Sequence, residues 1–179
     1  MIYEFLADGF ELVEAMTPLD MLRRGGKDII TVSITDSLEV KSSNGVTVIA
    51  DKLISELPSE IPEAVILPGG MPGASNLRNS DKVCEITVKA EENGAIVAAI
   101  CAAPFVLGEL GLLKGKRATC YPGFEDRLLG AIVSENRVVC DGKIITAAGM
   151  GVALSFSYEL TAALCGKEKA DSIINSIMC

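Results

Sequence analysis

The amino-acid sequence predicts an α/β fold, a mainly parallel sheet covered by helices on both faces. Three observations carry that expectation. Short apolar runs alternate with helical patterns along the whole chain. Three of these runs end in turns, Pro68-Gly69-Gly70, Cys101-Ala102 and Gly149-Met150-Gly151, and the sites of open α/β sheets gather at such strand ends. The 179 residues are 49% hydrophobic with a mean hydropathy of +0.39. They contain no linker, repeat or low-complexity tract, so a single domain over residues 1–179 is expected.

Taken in order, Ile2 to Leu6 reads as the first strand, and Ala7-Asp8-Gly9-Phe10 as the turn into an amphipathic helix from about Leu12 to Arg24, stopped by Gly25-Gly26. Pro18 inside it cannot donate to the carbonyl of residue 14, which predicts a kink or a shortened first turn beside Glu14. Asp28 to Thr35 is the second strand. Glu39 to Asp51, centred on Asn44-Gly45, is an added β-hairpin. Leu53 to Leu57 suits a short helix, and Ala64 to Leu67 a strand ended by Pro68-Gly69-Gly70.

Met71 to Asn79 is rich in turn formers. Ser80 then caps a helix from Asp81 to about Asn93, with Val83, Ile86 and Ala90 inward. Ala95 to Ile100 is apolar enough for a strand buried on both faces, and a helix from Ala102 to about Leu110 follows Cys101. Beyond it come a short strand at Lys116 to Cys120, a short helix near Glu125 to Leu129, and strands at Ile132-Val133, Arg137 to Cys140 and Lys143 to Ala148. Asp141-Gly142 joins the last two as a hairpin. Val152 to Cys165, whose only charge is Glu159, is expected to be a buried helix, and a polar helix from about Lys167 to Met178 closes the chain.

Composition narrows the functions. A net charge of −8 and a pI near 4.6 argue against nucleic acid or an anionic membrane as partner. No apolar run reaches signal-peptide or membrane-spanning length, so a cytoplasmic location is expected. The surplus of apolar residues over the surface available favours a homo-oligomer, most simply a homodimer. Six cysteines with no CxxC spacing read as thiols in a reducing compartment. The chain has no histidine. That removes the usual general base, the usual partner of cysteine at zinc and the Cys-His protease pair, and self-association cannot supply one. No metal site and no cofactor are expected.

Cys101 stands at the seam between an apolar strand and a helix. Free amides there stabilise a thiolate and bring its pKa from about 8.5 to roughly 3.5–7.5. The amides of Gly70 and Ala102 are candidate oxyanion donors. Glu14, flanked by Leu12, Val13, Ala15 and Met16, is the candidate proton partner, since a carboxyl in apolar surroundings resists ionisation. From the residues alone a solvated role for Glu14 stays open, because Glu11 lies on nearly the same helical face.

The string FLADGFELVEAMTPLDMLRRGG, followed in order by VILPGG, AAICAAP and GKRATCYP, resembles the DJ-1/ThiJ/PfpI family, and within it the DJ-1-like branch. The resemblance spans nearly the whole chain. It implies a flavodoxin-like α/β three-layer sandwich, usually a homodimer, with a nucleophilic cysteine at a strained strand-to-helix elbow. Cys101 matches that cysteine, Glu14 the protonated glutamate bonded to it, and Gly69, Gly70 and Ala102 the surrounding backbone donors. Three positions depart from the family pattern. Cys120 falls where many members carry a histidine, Asn44 on or near a loop position that is often basic, and Met150 replaces the proline of a Gly-Pro-Gly-like turn.

The resemblance implies a cofactor-independent enzyme acting on a small reactive carbonyl, converting an α-oxoaldehyde such as methylglyoxal to lactate through Cys101 and Glu14, or deglycating adducts. The alternative is an oxidative-stress sensor or protective protein working through oxidation of Cys101. Cys120 then reads either as a thiol that resolves an oxidised Cys101 into a disulfide or as a small apolar substitute for histidine. Protease or amidotransferase chemistry needs a histidine that this chain lacks.

Overall fold

Seven strands form the main sheet of this computed structural model, which describes residues 1–179. In chain order the elements are β1 (Ile2–Leu6), α1 (Leu12–Arg24), β2 (Ile29–Ser33), β3 (Glu39–Lys41), β4 (Thr47–Ile49), β5 (Lys52–Leu53), β6 (Ala64–Leu67), α2 (Gly73–Arg78), α3 (Asp81–Glu92), β7 (Ile96–Ile100), α4 (Pro104–Glu109), β8 (Arg117–Ala118), β9 (Ile132–Val133), β10 (Val138–Asp141), β11 (Ile144–Ala147), α5 (Ala153–Cys165) and α6 (Lys167–Ser176). The sheet order is β10-β11-β7-β6-β1-β2-β5. All neighbours pair parallel except β10 and β11, which meet across Asp141-Gly142. The chain leaves β1 toward β2 in one direction and returns to β6 on its other side, which puts the switch point at the carboxyl ends of β1 and β6.

Strand alternation sorts the core into two layers. Phe5, Val65, Leu67, Val97 and Ala99 face α2, α3 and α4, packing with Leu77, Val83 and Phe105. Ile2, Ile66, Ala98, Ile100 and Ile145 face the other way, against Leu22 of α1 and Phe156 and Leu160 of α5. This is the expected three-layer sandwich. The β3–β4 hairpin closes over the end of β1, where Val40 and Ala50 pack with Leu6, Phe10 and Ala15. Gly45, at φ +84, makes its turn and donates to the Ser42 carbonyl. No helix is long and apolar enough to cross a membrane.

The structure departs from the sequence expectation in a few elements. Met71 to Asn79, expected to be turn, contains helix α2, because burying Ala74 and Leu77 outweighs the weak helix propensity of the segment. The strand expected over Lys116 to Cys120 contracts to Arg117–Ala118, as only those two residues find partners, on β9. The short helices near Leu53 and Glu125 are single 3₁₀ turns, Ile54–Glu56 and Glu125–Arg127. Helix α1 runs on through Pro18, which is buried. Helix α5, expected to be buried, is covered on one side only: Phe156, Ser157, Leu160 and Thr161 are inside, whereas Ser155 and Ala163 are exposed. Its lack of charge is therefore not accounted for by burial within one protomer.

One carboxyl sits in the core without a partner. Glu4 lies in the middle of β1 between Ile2 and Leu6, fully buried, and neither of its oxygens accepts a hydrogen bond. Burial pushes its pKa well above 4.5, and the nearby Arg23 offsets only part of that rise. The folded chain therefore keeps this proton at pH values where the unfolded chain has lost it. Stability falls as pH rises from about 4.5 toward the raised folded value, by up to about 1.4 kcal/mol per pH unit. Glu4→Met is expected to remove this dependence, so its advantage in Tm over wild type widens from pH 5 to pH 8. A pH-independent difference would show that Glu4 is not the group concerned.

Candidate active site

The elbow after β7 is built by the backbone. Cys101 has φ +64, a left-handed conformation that costs a non-glycine residue roughly 1–2 kcal/mol. It is held from both sides: its N–H donates to the Ala147 carbonyl at the end of β11 (2.9 Å), and its carbonyl accepts from the Tyr121 N–H (2.7 Å). Ala103 follows with its N–H on the Ile100 carbonyl, and Pro104 opens α4. That helix has only six residues and begins three positions after Cys101. The local stabilisation of a thiolate thus comes from individual amides, those of Gly70 and Ala102, more than from a helix dipole.

Glu14 arrives from the other side of the switch point. It lies in the first turn of α1, whose N-cap is Glu11, and the Glu11 carboxylate accepts the Glu14 N–H at 3.0 Å. The cap stays partly exposed while Glu14 is turned fully inside. Glu14 Oε2 accepts the Gly69 N–H at 3.0 Å, whereas the buried Oε1, on the side of Cys101 and the Gly149 turn, accepts no hydrogen bond. Glycine is required at residue 69. A Cβ there would stand 2.6 Å from both Cys101 Cβ and Glu14 Oε2, and 2.8 Å from the Ile100 carbonyl. Gly70, at φ +85, lies equally tight against the Glu11 amide. Gly69 thus serves the carboxyl, and Gly70 and Ala102 serve the sulfur.

The two ionisable groups act on one another. Burial raises the Glu14 pKa to about 7, against the lowering effects of the Cys101 thiol and the amides of Gly69 and Met150. With Glu14 ionised, burial and then the adjacent negative charge push the Cys101 thiol up to about 12, although the Gly70 and Ala102 amides pull it down. This is opposite in direction to what strand-end position alone predicts. The lowered thiol pKa expected from the sequence requires Glu14 to be protonated, which removes the repulsion and turns the carboxyl into a donor toward sulfur.

The remaining candidates are dispersed. Met150 borders the site through its amide, while its side chain is exposed. Cys120 lines the same cleft but is 6% exposed and packed in the α2–α4 layer, whereas Cys101 lies at the edge of the opposite layer. All six cysteines are free thiols. Burial, followed by the nearby Glu125 carboxylate, raises the Cys120 pKa to about 11. Asn44 is exposed at the tip of the β3–β4 hairpin. No group of three or more cysteine, aspartate or glutamate side chains is placed to hold a metal ion.

Two residues that bound the cleft were not among the sequence candidates. Tyr121 places its ring 3.3 Å from where a Gly149 Cβ would be, and the Cys101 sulfur is 3.8 Å from that same point. It follows Cys120 directly in the TCYP string, so the tyrosine, not the cysteine, faces the elbow turn. Arg137 lines the cleft of about 520 Å³ that runs from Tyr121 along Gly149, Met150 and Gly151.

The chain is similar to known proteins in sequence and fold. The family model described as DJ-1/PfpI family matches residues 1–163. Protein DJ-1 homolog B of Arabidopsis thaliana is 41% identical over 167 residues, covering 92% of this chain but only 38% of that protein. The chain therefore spans well under half of that relative. Glutathione-independent glyoxalase DJR-1.2 of Caenorhabditis elegans is 28% identical over 169 residues, 93% of this chain and 89% of that one. The solved structure of oxidized Toxoplasma gondii DJ-1 superposes with a TM-score of 0.95 at 36% identity, covering 99% of this chain and 97% of the other. With the cysteine elbow, the buried glutamate and the match over nearly its whole length, the chain belongs to the DJ-1/PfpI family.

Proposed function

We propose that the protein is a cofactor-independent glyoxalase-type enzyme that converts a small α-oxoaldehyde such as methylglyoxal to the corresponding hydroxy acid. The observation that carries this reading is the buried Glu14 carboxyl beside the Cys101 sulfur, with a pKa of about 7. In the form of the pair that holds one proton, sulfur adds to the aldehyde carbon while the aldehyde oxygen takes that proton. Glu14 is left ionised. The carboxylate then removes the hydrogen of that carbon and delivers it to the neighbouring one, turning the hemithioacetal into a lactoyl thioester. Water cleaves the thioester to lactate and frees Cys101. A group whose pKa lies near the working pH suits both halves of this transfer, and the Gly70 and Ala102 amides suit the oxygen that gains charge. A relative named as a glutathione-independent glyoxalase supports the same chemistry.

A second reading is oxidation of Cys101 as a sensing event. It is favoured by the partial exposure of Cys101, by the two amides beside its sulfur and by the oxidised state named for the Toxoplasma gondii relative. A disulfide with Cys120 has little support, since the two side chains belong to opposite core layers. We also infer a homodimer. Val13 on α1 and Val46 and Ile49 on the hairpin are exposed, and the sparsely charged side of α5 carries Leu154, which with Val13 and Met16 lines an apolar groove.

Four outcomes are expected. With methylglyoxal, wild type forms lactate, Cys101→Ser forms none above background, and Glu14→Gln loses about 10²-fold or more in kcat/KM. The wild-type profile has an acid limb near pH 7, because the one-proton form appears only above that value. Lactate production by Cys101→Ser equal to wild type would end this reading. Gly69→Ala, which drives a methyl group between Cys101 and Glu14, is expected to lower kcat/KM about as far as Glu14→Gln while leaving the far-UV circular dichroism unchanged. Finally, Ile49→Glu with Val13→Glu should shift the sedimentation coefficient from dimer to monomer. A wild type that sediments as a monomer would refute the interface.

A further inference from the structure

Of the six arginines, Arg137 alone has a guanidinium with no acceptor. Arg23 meets Asp51, Arg24 meets Asp20, Arg78 and Arg127 share Glu109, and Arg117 reaches Ser134. Arg137 is exposed, enters no ion pair and lines the cleft whose Gly149 end borders the Cys101 sulfur. Its position is nonetheless fixed. Its carbonyl accepts the Ala148 N–H at 2.8 Å, and Nη2 lies 3.2 Å from where a Cβ on Gly151 would be.

Neither carboxylate on the cleft is paired with it. Glu125 lines the same cleft, but its Oε2 accepts the Gly123 N–H at 2.7 Å, and Glu135, two residues before Arg137, is not within ion-pair distance of it. Arg137 is the one cation among the residues lining this cleft, and its guanidinium is free to pair with a ligand. Guanidinium is also the side chain best shaped to take a carboxylate in two parallel hydrogen bonds.

Arg137 and Cys101 stand at the two ends of one glycine turn. The sulfur is 3.8 Å from the Cβ point of Gly149, the guanidinium 3.2 Å from that of Gly151. The two residue steps between those points span at most roughly 7 Å, so sulfur and guanidinium are no more than about 14 Å apart. The floor between them is glycine backbone, and the Met150 side chain is turned out to solvent. Tyr121 walls its sulfur end.

We propose that Arg137 binds a carboxylate at the far end of the substrate, so that the site prefers α-oxoaldehydes bearing a negative group within about 10 Å of the reacting carbonyl, the upper limit set by the same span. The substrate class rests on the glyoxalase-type reading above. The charge recognition itself does not, and the test separates the two.

The first arm needs no turnover. Cys101 is alkylated with 4-(iodoacetamido)benzoate or with iodoacetanilide, which lacks the carboxylate. Either forms a carbon–sulfur bond as iodide leaves, and labelling is followed by intact mass. Wild type is expected to react about three- to tenfold faster with the acid, the range of a partly exposed charge pair. Arg137→Met should bring the ratio to one or below, and Arg137→Lys should keep part of it. A wild-type ratio of one, or a ratio that survives in Arg137→Met, overturns the proposal. The second arm compares kcat/KM for 4-carboxyphenylglyoxal and phenylglyoxal, with the same preference expected. If neither is turned over while the labelling ratio holds, the reaction is wrong and the carboxylate site stands.

Discussion

The hydrogen bond from the Gly69 amide to Glu14 Oε2 joins residues 55 apart in sequence and holds the whole site together. It ties the carboxyl end of β6 to the first turn of α1, across the point where the sheet changes direction. Both partners are pinned independently. The Gly69 carbonyl accepts the Glu11 N–H, and Glu11 in turn caps the helix that carries Glu14. A buried carboxyl with one oxygen fixed in this way has little rotational freedom left, so its second oxygen is directed at the elbow. The elbow's left-handed residue is over-determined by bonds to β11 and Tyr121, which is how a strained backbone persists at one point of an otherwise regular sheet.

Much of this was legible before any coordinates, because the governing patterns are local. Apolar runs ending in glycine gave the strands, and Asn44-Gly45 and Asp141-Gly142 gave both hairpins where the structure has them. Glu14 and Glu11 differ by one turn of helix, and only the resemblance favoured the first. In the structure the distinction is geometric: Glu11 ends the helix and stays at its rim, while Glu14 points into the sheet. Helix α2 was not legible, since its helicity depends on two small apolar contacts that propensity does not encode. Nor was the side taken by Cys120. A one-residue change of facing in an irregular strand end turns Cys120 into the α2–α4 core layer at the cleft's margin and leaves Tyr121 against the elbow turn.

The direction of the thiol's pKa was misjudged from sequence for a related reason. Position at a strand end predicts amides around the sulfur, and the amides are there. What position does not give is the depth of burial or the charge on a neighbour brought in from α1. Both oppose ionisation, and the neighbour's charge is itself variable near neutral pH. Reactivity at Cys101 is therefore a property of the pair. In a chain without histidine the proton has one nearby carrier, the carboxyl, which both withholds and supplies the conditions for a thiolate.

Glu4 is the internal comparison that shows what tunes Glu14. Both carboxyls are wholly inside and both are raised by burial. Glu4 has only the Arg23 charge to offset its burial and no hydrogen bond, and its pKa lies well above the ordinary range. Glu14 has the Gly69 amide, the Met150 amide and the thiol, and stands at about 7. Burial alone would keep Glu14 protonated and inert as a base, just as it does Glu4, and full solvation would leave it ionised and unable to support a thiolate. The Cys101 side chain first, and the Gly69 and Met150 amides after it, bring the buried acid back toward neutral pH, and Gly69 lets the backbone come close enough to take part.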